Sequence, residues 1–218
     1  MKNILFTLAL LISFSSFGQD DIKQGLVVKY YDNGAVKSKV NYVDGKKQGE
    51  QTAYYESGGI YGTENYVDGN VQGLGIVYYE SGAVKRKLNY VDGNMQGEQT
   101  GYYESGAVKS KGNSVDGKIQ GELIVYYESG AVQSKINYVD GKPHGAVITY
   151  WENGKVRTKT NNVDGKLHGE FFNYYDSGNI STKASFFEGN PHGEVILYFE
   201  NGEIHEIKNY KYGELIED

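Results

Sequence analysis

Glycines recur at fixed intervals of 24 residues along most of this 218-residue chain. The segment that reads GELIVYYESGAVQSKINYVDGKPH contains three of them, Gly121, Gly130 and Gly141. The first recurs at Gly25, Gly49, Gly73, Gly97, Gly145, Gly169 and Gly193, the second at Gly34, Gly58, Gly82, Gly106, Gly154, Gly178 and Gly202, and the third at Gly45, Gly69, Gly93, Gly117, Gly165, Gly189 and Gly213. Eight copies span residues 25–216 without an insertion or a deletion, which indicates a repeat array. A repeat specifies an architecture but leaves the ligand open.

The first eighteen residues differ from the array and have the pattern of a secretory signal peptide. A basic start at Lys2 precedes an apolar run from Ile4 to Phe14, and Ser16-Phe17-Gly18 follows it. A membrane anchor is the weaker alternative, because a spanning helix needs roughly 20 apolar residues. Cleavage after Gly18 would remove Lys2 and change the formal net charge from −6 to −7. We therefore expect an exported protein that is soluble after cleavage, in the periplasm, at the outer surface or outside the cell.

Composition narrows the classes of function further. The chain has no cysteine, which excludes disulfides, thiolate metal sites and lipidation at cysteine. Mild acidity argues against nucleic acid as a partner and disfavours phospholipid, since both require a basic footprint. The predicted organisation is a signal peptide at 1–18, a lead-in at 19–24, repeats at 25–48, 49–72, 73–96, 97–120, 121–144, 145–168, 169–192 and 193–216, and a tail at 217–218.

Each repeat has the pattern of a β-hairpin. Glu122–Tyr127 and Ala131–Val139 are rich in the Val, Ile and Tyr residues that suit strands. The Gly130 and Asp140-Gly141 segments between and after them have turn chemistry. Because the connections are short, successive strands must be antiparallel neighbours. The sequence predicts an all-β protein of about sixteen strands, roughly 75 Å long.

The predicted turn also assigns side chains to faces. A type I turn over Tyr127–Gly130, with Gly130 left-handed, would pair Tyr127 with Ala131, Tyr126 with Val132 and Ile124 with Ser134. One face would then carry Ile124, Tyr126, Val132 and Tyr138, and the other Leu123, Val125, Tyr127, Gln133, Lys135 and Asn137. A slip of one residue would exchange the faces.

Two aromatic ladders run through the copies. The first, Tyr30, Tyr54, Tyr78, Tyr102, Tyr126, Tyr150, Tyr174 and Tyr198, faces β-branched partners such as Val132 and is interpreted as structural. The second is the candidate binding ladder, with Tyr31, Tyr55, Tyr79, Tyr103, Tyr127, Trp151, Tyr175 and Phe199, and lysines predicted on its face include Lys39, Lys87, Lys111, Lys135, Lys159 and Lys183. Aromatics interleaved with cations can bind sugars, extended peptides or anionic groups. Alternatively, the lysine stems cover the rings and keep the sheet soluble.

The polar residues do not predict an active site. Catalysis needs one constellation of dissimilar groups, whereas nearly every polar residue here is a copy in a ladder, so we expect neither an enzyme nor a cofactor. His144, His168 and His192 occupy one repeat position, about 9.5 Å apart in adjacent hairpins. That distance is too large for two imidazoles on one metal. They are predicted to be surface groups beside turns, with a pH-responsive row as the alternative.

The phrases Tyr-Tyr-Glu-Ser-Gly-Ala-Val-Lys, Asn-Tyr-Val-Asp-Gly-Lys and Gln-Gly-Glu or His-Gly-Glu resemble the MORN repeat, over Gly25 to Ile216. The bacterial variant form, which often carries the label antitoxin, is the closer match. This resemblance implies a single-layer, twisted antiparallel sheet of hairpins that serves mostly in protein contacts and, in some members, in phospholipid contact. An antitoxin that neutralises a toxin in the cytoplasm would not need the export signal.

Four functions remain open at this stage, one of which is a purely structural or self-associating role. The leading hypothesis is an exported scaffold that binds a protein at the envelope or outside the cell. A glycan-binding protein is the second, because paired aromatics on hairpins also resemble cell-wall-binding repeats, and an antitoxin-like protein is the third. The last copy carries extra charge that is typical of a solubilising cap, so self-association is predicted at the N-terminal edge, Gly25–Tyr30.

Overall fold

The computed structural model describes residues 23–216, all of whose regular elements are β-strands. The predicted signal peptide at 1–18 lies outside the described residues. The strands are β1 Gly25–Tyr30, β2 Val36–Val43, β3 Lys46–Tyr54, β4 Ile60–Val67, β5 Asn70–Val71, β6 Gly73–Tyr78, β7 Val84–Val91, β8 Asn94–Tyr102, β9 Val108–Val115, β10 Lys118–Ile119, β11 Gly121–Tyr126, β12 Val132–Val139, β13 Lys142–Tyr150, β14 Val156–Val163, β15 Lys166–Tyr174, β16 Ile180–Phe187, β17 Asn190–Pro191, β18 Gly193–Tyr198, β19 Ile204–Lys211 and β20 Glu214–Ile216.

These strands form one antiparallel sheet in which each strand pairs with its neighbours in the sequence. The predicted all-β hairpin array is confirmed. The structure has 20 strands, more than the expected sixteen. From the second hairpin onward, the first strand extends back beyond its predicted start to the preceding turn, and in three hairpins it is interrupted, at Gln72, Gln120 and His192. In addition, β20 pairs with β19 after the last hairpin. Within residues 23–216, no helix is long and apolar enough to cross a membrane.

The turns form as glycine chemistry predicts. In the fifth repeat, the Gly130 N–H donates to the Tyr127 carbonyl oxygen at 2.9 Å, and the Tyr127 N–H donates to the Ala131 carbonyl oxygen at 2.8 Å. Gly130 has φ of 88°, and Asp140 and Gly141 have 51° and 79°. Two successive positive φ values are characteristic of the type I′ turn, which matches the right-handed twist of a hairpin. All three frame glycines of every repeat have positive φ.

The predicted pairing of Ile124 with Ser134 is wrong. Tyr126 does pair with Val132, but Val125 then pairs with Ser134 and Ile124 with Lys135. Gln133 is therefore an extra residue on the second strand, a β-bulge that shifts the register by one. The same shift occurs in all eight hairpins.

The bulge rearranges the two faces of the sheet. One face, called the lysine face below, carries Glu122, Ile124, Tyr126, Val132, Lys135 and Asn137. The opposite face, called the latch face, carries Leu123, Val125, Tyr127, Gln133, Ser134, Ile136 and Tyr138. Placing the lysines beside the ladder of Tyr127 was therefore wrong. The lysine Nζ of Lys39 lies 5.5 Å from the ring centre of Tyr54, in the other aromatic ladder.

Most of the buried side chains lie on the latch face. Val40, Tyr42, Tyr66, Ser114 and Ala184 are buried, and all belong to second strands of hairpins on that face. Thr100, which is also buried, lies on the lysine face. The predicted structural ladder, which lies on the lysine face, is only partly buried in the inner repeats.

Candidate binding face

The second aromatic ladder joins each repeat to the next by a hydrogen bond. The hydroxyl of Tyr103 donates to the backbone carbonyl oxygen of Tyr126 at 2.7 Å. Equivalent bonds run from Tyr31 to Tyr54, from Tyr55 to Tyr78, from Tyr79 to Tyr102, from Tyr127 to Tyr150 and from Tyr175 to Tyr198, all at 2.7–2.8 Å. We call each of these bonds a latch. These hydroxyls therefore link adjacent repeats by hydrogen bonds.

Two departures from tyrosine fit this role. Trp151 keeps a polar hydrogen, and its Nε1 donates to the Tyr174 carbonyl oxygen at 3.2 Å. Phe199 has no donor, and among residues 23–216 no further repeat follows that would place a carbonyl oxygen opposite it. The sequence contained this signal, because every ladder member except the last carries a donor.

The bulge residue of the hairpin covers the latch ring in most repeats. Lys37 lies 5.2 Å from the ring centre of Tyr31, and Arg157 lies 4.6 Å from that of Trp151. Equivalent covers are Lys85 over Tyr79, Lys109 over Tyr103, Tyr61 edge-on against Tyr55 and His205 against Phe199. Sequence reasoning missed these pairs because the bulge brings the two residues onto one face.

In the fifth and seventh repeats the bulge residues are Gln133 and Ser181, which bring neither a cation nor an aromatic ring over Tyr127 and Tyr175. There the rings of Tyr127 and Tyr175 flank Trp151 and its Arg157 cover. An open groove of about 760 Å³ lies over these rings and is also lined by Ser134, Thr149, Thr158, Phe171, Asn173 and Asp176. We call it the ring groove. It combines aromatic surface with hydroxyl, amide and charged groups.

A second cavity on the latch face, of about 470 Å³, lies in the second and third repeats and is lined by Gly62, Glu64, Gly75 and Arg86. Next to it, Tyr66 donates from its hydroxyl to Glu64 Oε2 at 3.1 Å and accepts from Lys47 Nζ at 3.2 Å. Burial, and then the charge of Glu64, raises the pKa of Tyr66 to about 12.

The predicted binding set is divided between the two faces. The aromatic members line the latch face, whereas Lys87, Lys111, Lys135 and Lys159 lie on the lysine face, where the Nζ of Lys87 is 5.7 Å from the ring centre of Tyr102. Smaller cavities lie beside Lys135 and Lys159. One, of about 250 Å³, is lined by Glu122, Lys135, Asn137, His144, Gly145, Ala146 and Ile148.

The histidines lie beside turns, as predicted. In the first repeats, a glutamine such as Gln48 accepts a hydrogen bond at Oε1 from the N–H of Asp68 in the next turn, at 2.9 Å. His192 takes this role at its Nδ1, with the N–H of Tyr212 at 3.4 Å. His144 Nδ1 lies 3.7 Å from Asp164 Oδ1. Within residues 23–216, no three His, Asp or Glu side chains converge as metal ligands.

An open sheet of like hairpins, linked by one latch per junction, defines a single-layer β-hairpin repeat protein. The MORN repeat variant matches residues 23–44, 47–68, 71–92, 95–116, 119–140, 143–161, 167–187 and 191–212. The chain belongs to this family, and its repeats indicate a protein-binding role.

No curated protein matches the chain. Among solved structures, the crystal structure of TcdB2-TccC3-Cdc42 is similar at 13% identity and a TM-score of 0.23, over 87% of this chain and 14% of that one. The Photorhabdus luminescens Tc holotoxin pore is similar at 14% identity and a TM-score of 0.23, over 85% and 12%. The chain thus spans a small part of these proteins, and a likeness at this TM-score supports no conclusion about function.

Proposed function

We propose that this protein is a non-enzymatic, exported scaffold that binds a partner protein of the envelope or the extracellular space through the ring groove. The observation that carries the proposal is the groove over Tyr127 and Tyr175, on either side of Trp151. Elsewhere in the described ladder a cationic or aromatic bulge side chain packs on the ring, whereas these two rings have only the smaller polar residues Gln133 and Ser181 at that position.

The groove favours a partner segment with an apolar side chain beside an acidic one. The ring faces supply flat apolar surface. The guanidinium of Arg157 stacks on Trp151, and it forms no ion pair among residues 23–216. A stacked guanidinium keeps its N–H edge available for bidentate contact with a carboxylate.

Photo-crosslinking tests this surface with a matched control. A photoreactive residue at Ser181 lies in the groove, and one at Lys183, two residues along the same strand, is exposed on the lysine face. In intact cells we expect a crosslink to a protein from position 181 and none from position 183. Ser181→Lys, which places a lysine where other repeats have their cover, should abolish the crosslink to that protein from a photoreactive residue at Gln133, which also lines the groove. Equal capture at both positions would contradict the proposal.

Glycan binding is the second candidate, supported by a different feature of the groove. Its lining includes the amides of Gln133 and Asn173 and the hydroxyls of Thr149 and Thr158. Such groups can bond sugar hydroxyls while the C–H face of a sugar packs on a ring. Calorimetry with polysaccharide fragments from the envelope distinguishes the two. Binding that Ser181→Lys removes, without a protein crosslink, would replace the protein partner with a glycan.

A further inference from the structure

The sheet has an unpaired edge at each end. Within residues 23–216, β1 pairs only with β2. At the other end, β20 pairs with Asn209–Lys211 of β19, and no residue in the described range 23–216 pairs with the outer edge of 204–208. Exposed apolar side chains accompany both edges, with Leu26 and Tyr30 on β1 and Ile204 and Ile207 on β19. Unpaired strand edges are templates for another chain.

The two edges fit each other as adjacent repeats do. In the junction between the fifth and sixth repeats, β12 pairs with the nine-residue β13, so that Ser134 faces Thr149 and Lys135 faces Ile148. In the repeat frame, β20 corresponds to the first three residues of β13, and β1 corresponds to its last six. The β1 strand of a second copy can therefore pair with the part of β19 that lies beyond β20.

The residues that would meet are complementary. In this register, Ile207 faces Val28 of the second copy. Glu206, which forms an ion pair with Lys208 of its own strand at 3.0 Å, also faces Lys29 of that copy. Neither residue's sign of charge recurs at its position. The other repeats have Ser38, Gly62, Arg86, Ser110, Ser134, Thr158 and Thr182 for Glu206, and Ala53, Val77, Gly101, Val125, Thr149, Asn173 and Leu197 for Lys29. Ile207 replaces the lysine of most copies, which makes its pair apolar. Opposite charges directly across strands stabilise pairing.

The end repeats as wholes also carry opposite charge. The first, 25–48, has five lysines and two aspartates, for a net charge of +3. The last, 193–216, has five glutamates and two lysines, for a net charge of −3. Charge of opposite sign on two surfaces accelerates their encounter and orients it.

We propose that copies of this protein associate head to tail, with β1 of one copy pairing along the outer edge of β19 of the next. The contact is heterologous, so it leaves one free edge of each kind and can continue into longer assemblies. It lacks the latch of the internal junctions, because Phe199 has no hydroxyl for the Tyr30 carbonyl oxygen of the neighbour. Lys23 and Gln24 of the incoming copy must release their hydrogen bonds with Gly45 and Asp44 and turn away from the sheet, since β20 occupies their place.

A charge exchange tests the contact in the mature chain, by analytical ultracentrifugation over a range of concentrations. Lys29→Glu and Glu206→Lys should each raise the dissociation constant about tenfold, and the double variant should restore association. Lys46→Glu and Glu194→Lys make the same charge changes in the same repeats at exposed positions off the two edges. They should leave the dissociation constant within about twofold of the parent value. Thermal melting of each variant separates lost association from lost folding.

Phe199→Tyr should strengthen the association between copies, which gives a second test. It restores a hydroxyl at the ladder position whose partner carbonyl would come from Tyr30 of the second copy, so association should tighten about fivefold. A parent that stays monomeric at the highest concentration would overturn the proposal. A double charge variant that fails to restore association, or control variants that weaken it as much as the edge variants do, would overturn it as well.

Discussion

The hydroxyl of Tyr103 donates a 2.7 Å hydrogen bond to the carbonyl oxygen of Tyr126, which lies one repeat further along the chain. Each repeat contacts only its neighbours, so the stability of such an array depends on its junctions. The latch places one side-chain bond at each internal junction and uses a group that would otherwise be free to bind a ligand. The ladder that contains Tyr103 thus primarily joins adjacent repeats. Its rings in the ring groove remain available for binding.

Loss of a latch should destabilise the array. Tyr103→Phe removes the donor and leaves the half-buried Tyr126 carbonyl oxygen with one bond fewer, so we expect a loss of about 1 kcal/mol in the free energy of unfolding. Tyr61→Phe is the control, because Tyr61 is exposed and packs edge-on against Tyr55. Urea denaturation of both variants measures the difference. An equal effect of the two changes would show that the latches contribute nothing.

Two adjacent glycines offer a matched test of the turn geometry. Gly58 has φ of 90°, whereas Gly59 has an ordinary φ and space for a Cβ, with the nearest atom at 3.6 Å. Gly58→Ala should cost about 1–2 kcal/mol, since an alanine in the left-handed region is strained. Gly59→Ala restores the alanine of most copies and should stabilise by about 0.4–1 kcal/mol. Thermal melting in which both changes lower the melting temperature equally would contradict this assignment.

The sequence predicted the hairpins and their turns because glycine marks positions that need positive φ, as at Gly130 and Gly141. It could not place the bulge, because Gln133 has no side-chain feature that distinguishes it from a regular strand residue. A single extra residue then moved Lys135 to the face opposite Tyr127. The latches could not be predicted either. Their acceptor is a backbone carbonyl oxygen in the next repeat, and a backbone group has no signature in the sequence.

The elongated sheet should be visible in solution. A compact globule of 200 residues has a radius of gyration of roughly 16 Å, whereas sixteen or more strands in one layer extend roughly 75 Å before twist. Small-angle scattering of the mature chain at low concentration should therefore give a clearly larger radius and an asymmetric distance distribution. A value close to that of the globule would mean that the sheet folds back on itself.

Tyr66 should make stability depend on alkaline pH. Its hydroxyl is buried beside Glu64, and both effects raise its pKa from 10.0 to about 12 by favouring the neutral phenol in the folded protein. In the unfolded chain the phenol ionises near its ordinary value. The contribution of this group is therefore fully present below about pH 10 and is lost as the pH rises towards 12.

Tyr66→Phe should flatten the dependence of the free energy of unfolding on pH between about 10 and 12, whatever it does to stability at neutral pH. Subtracting the phenolate absorbance titration of this variant from that of the parent isolates Tyr66 from the other tyrosines. Glu64→Gln should shift that isolated titration to lower pH, because it removes a negative charge and keeps the residue's size. An isolated titration centred near 10 in the folded parent would mean that water reaches the Tyr66 hydroxyl and that Glu64 does not influence it.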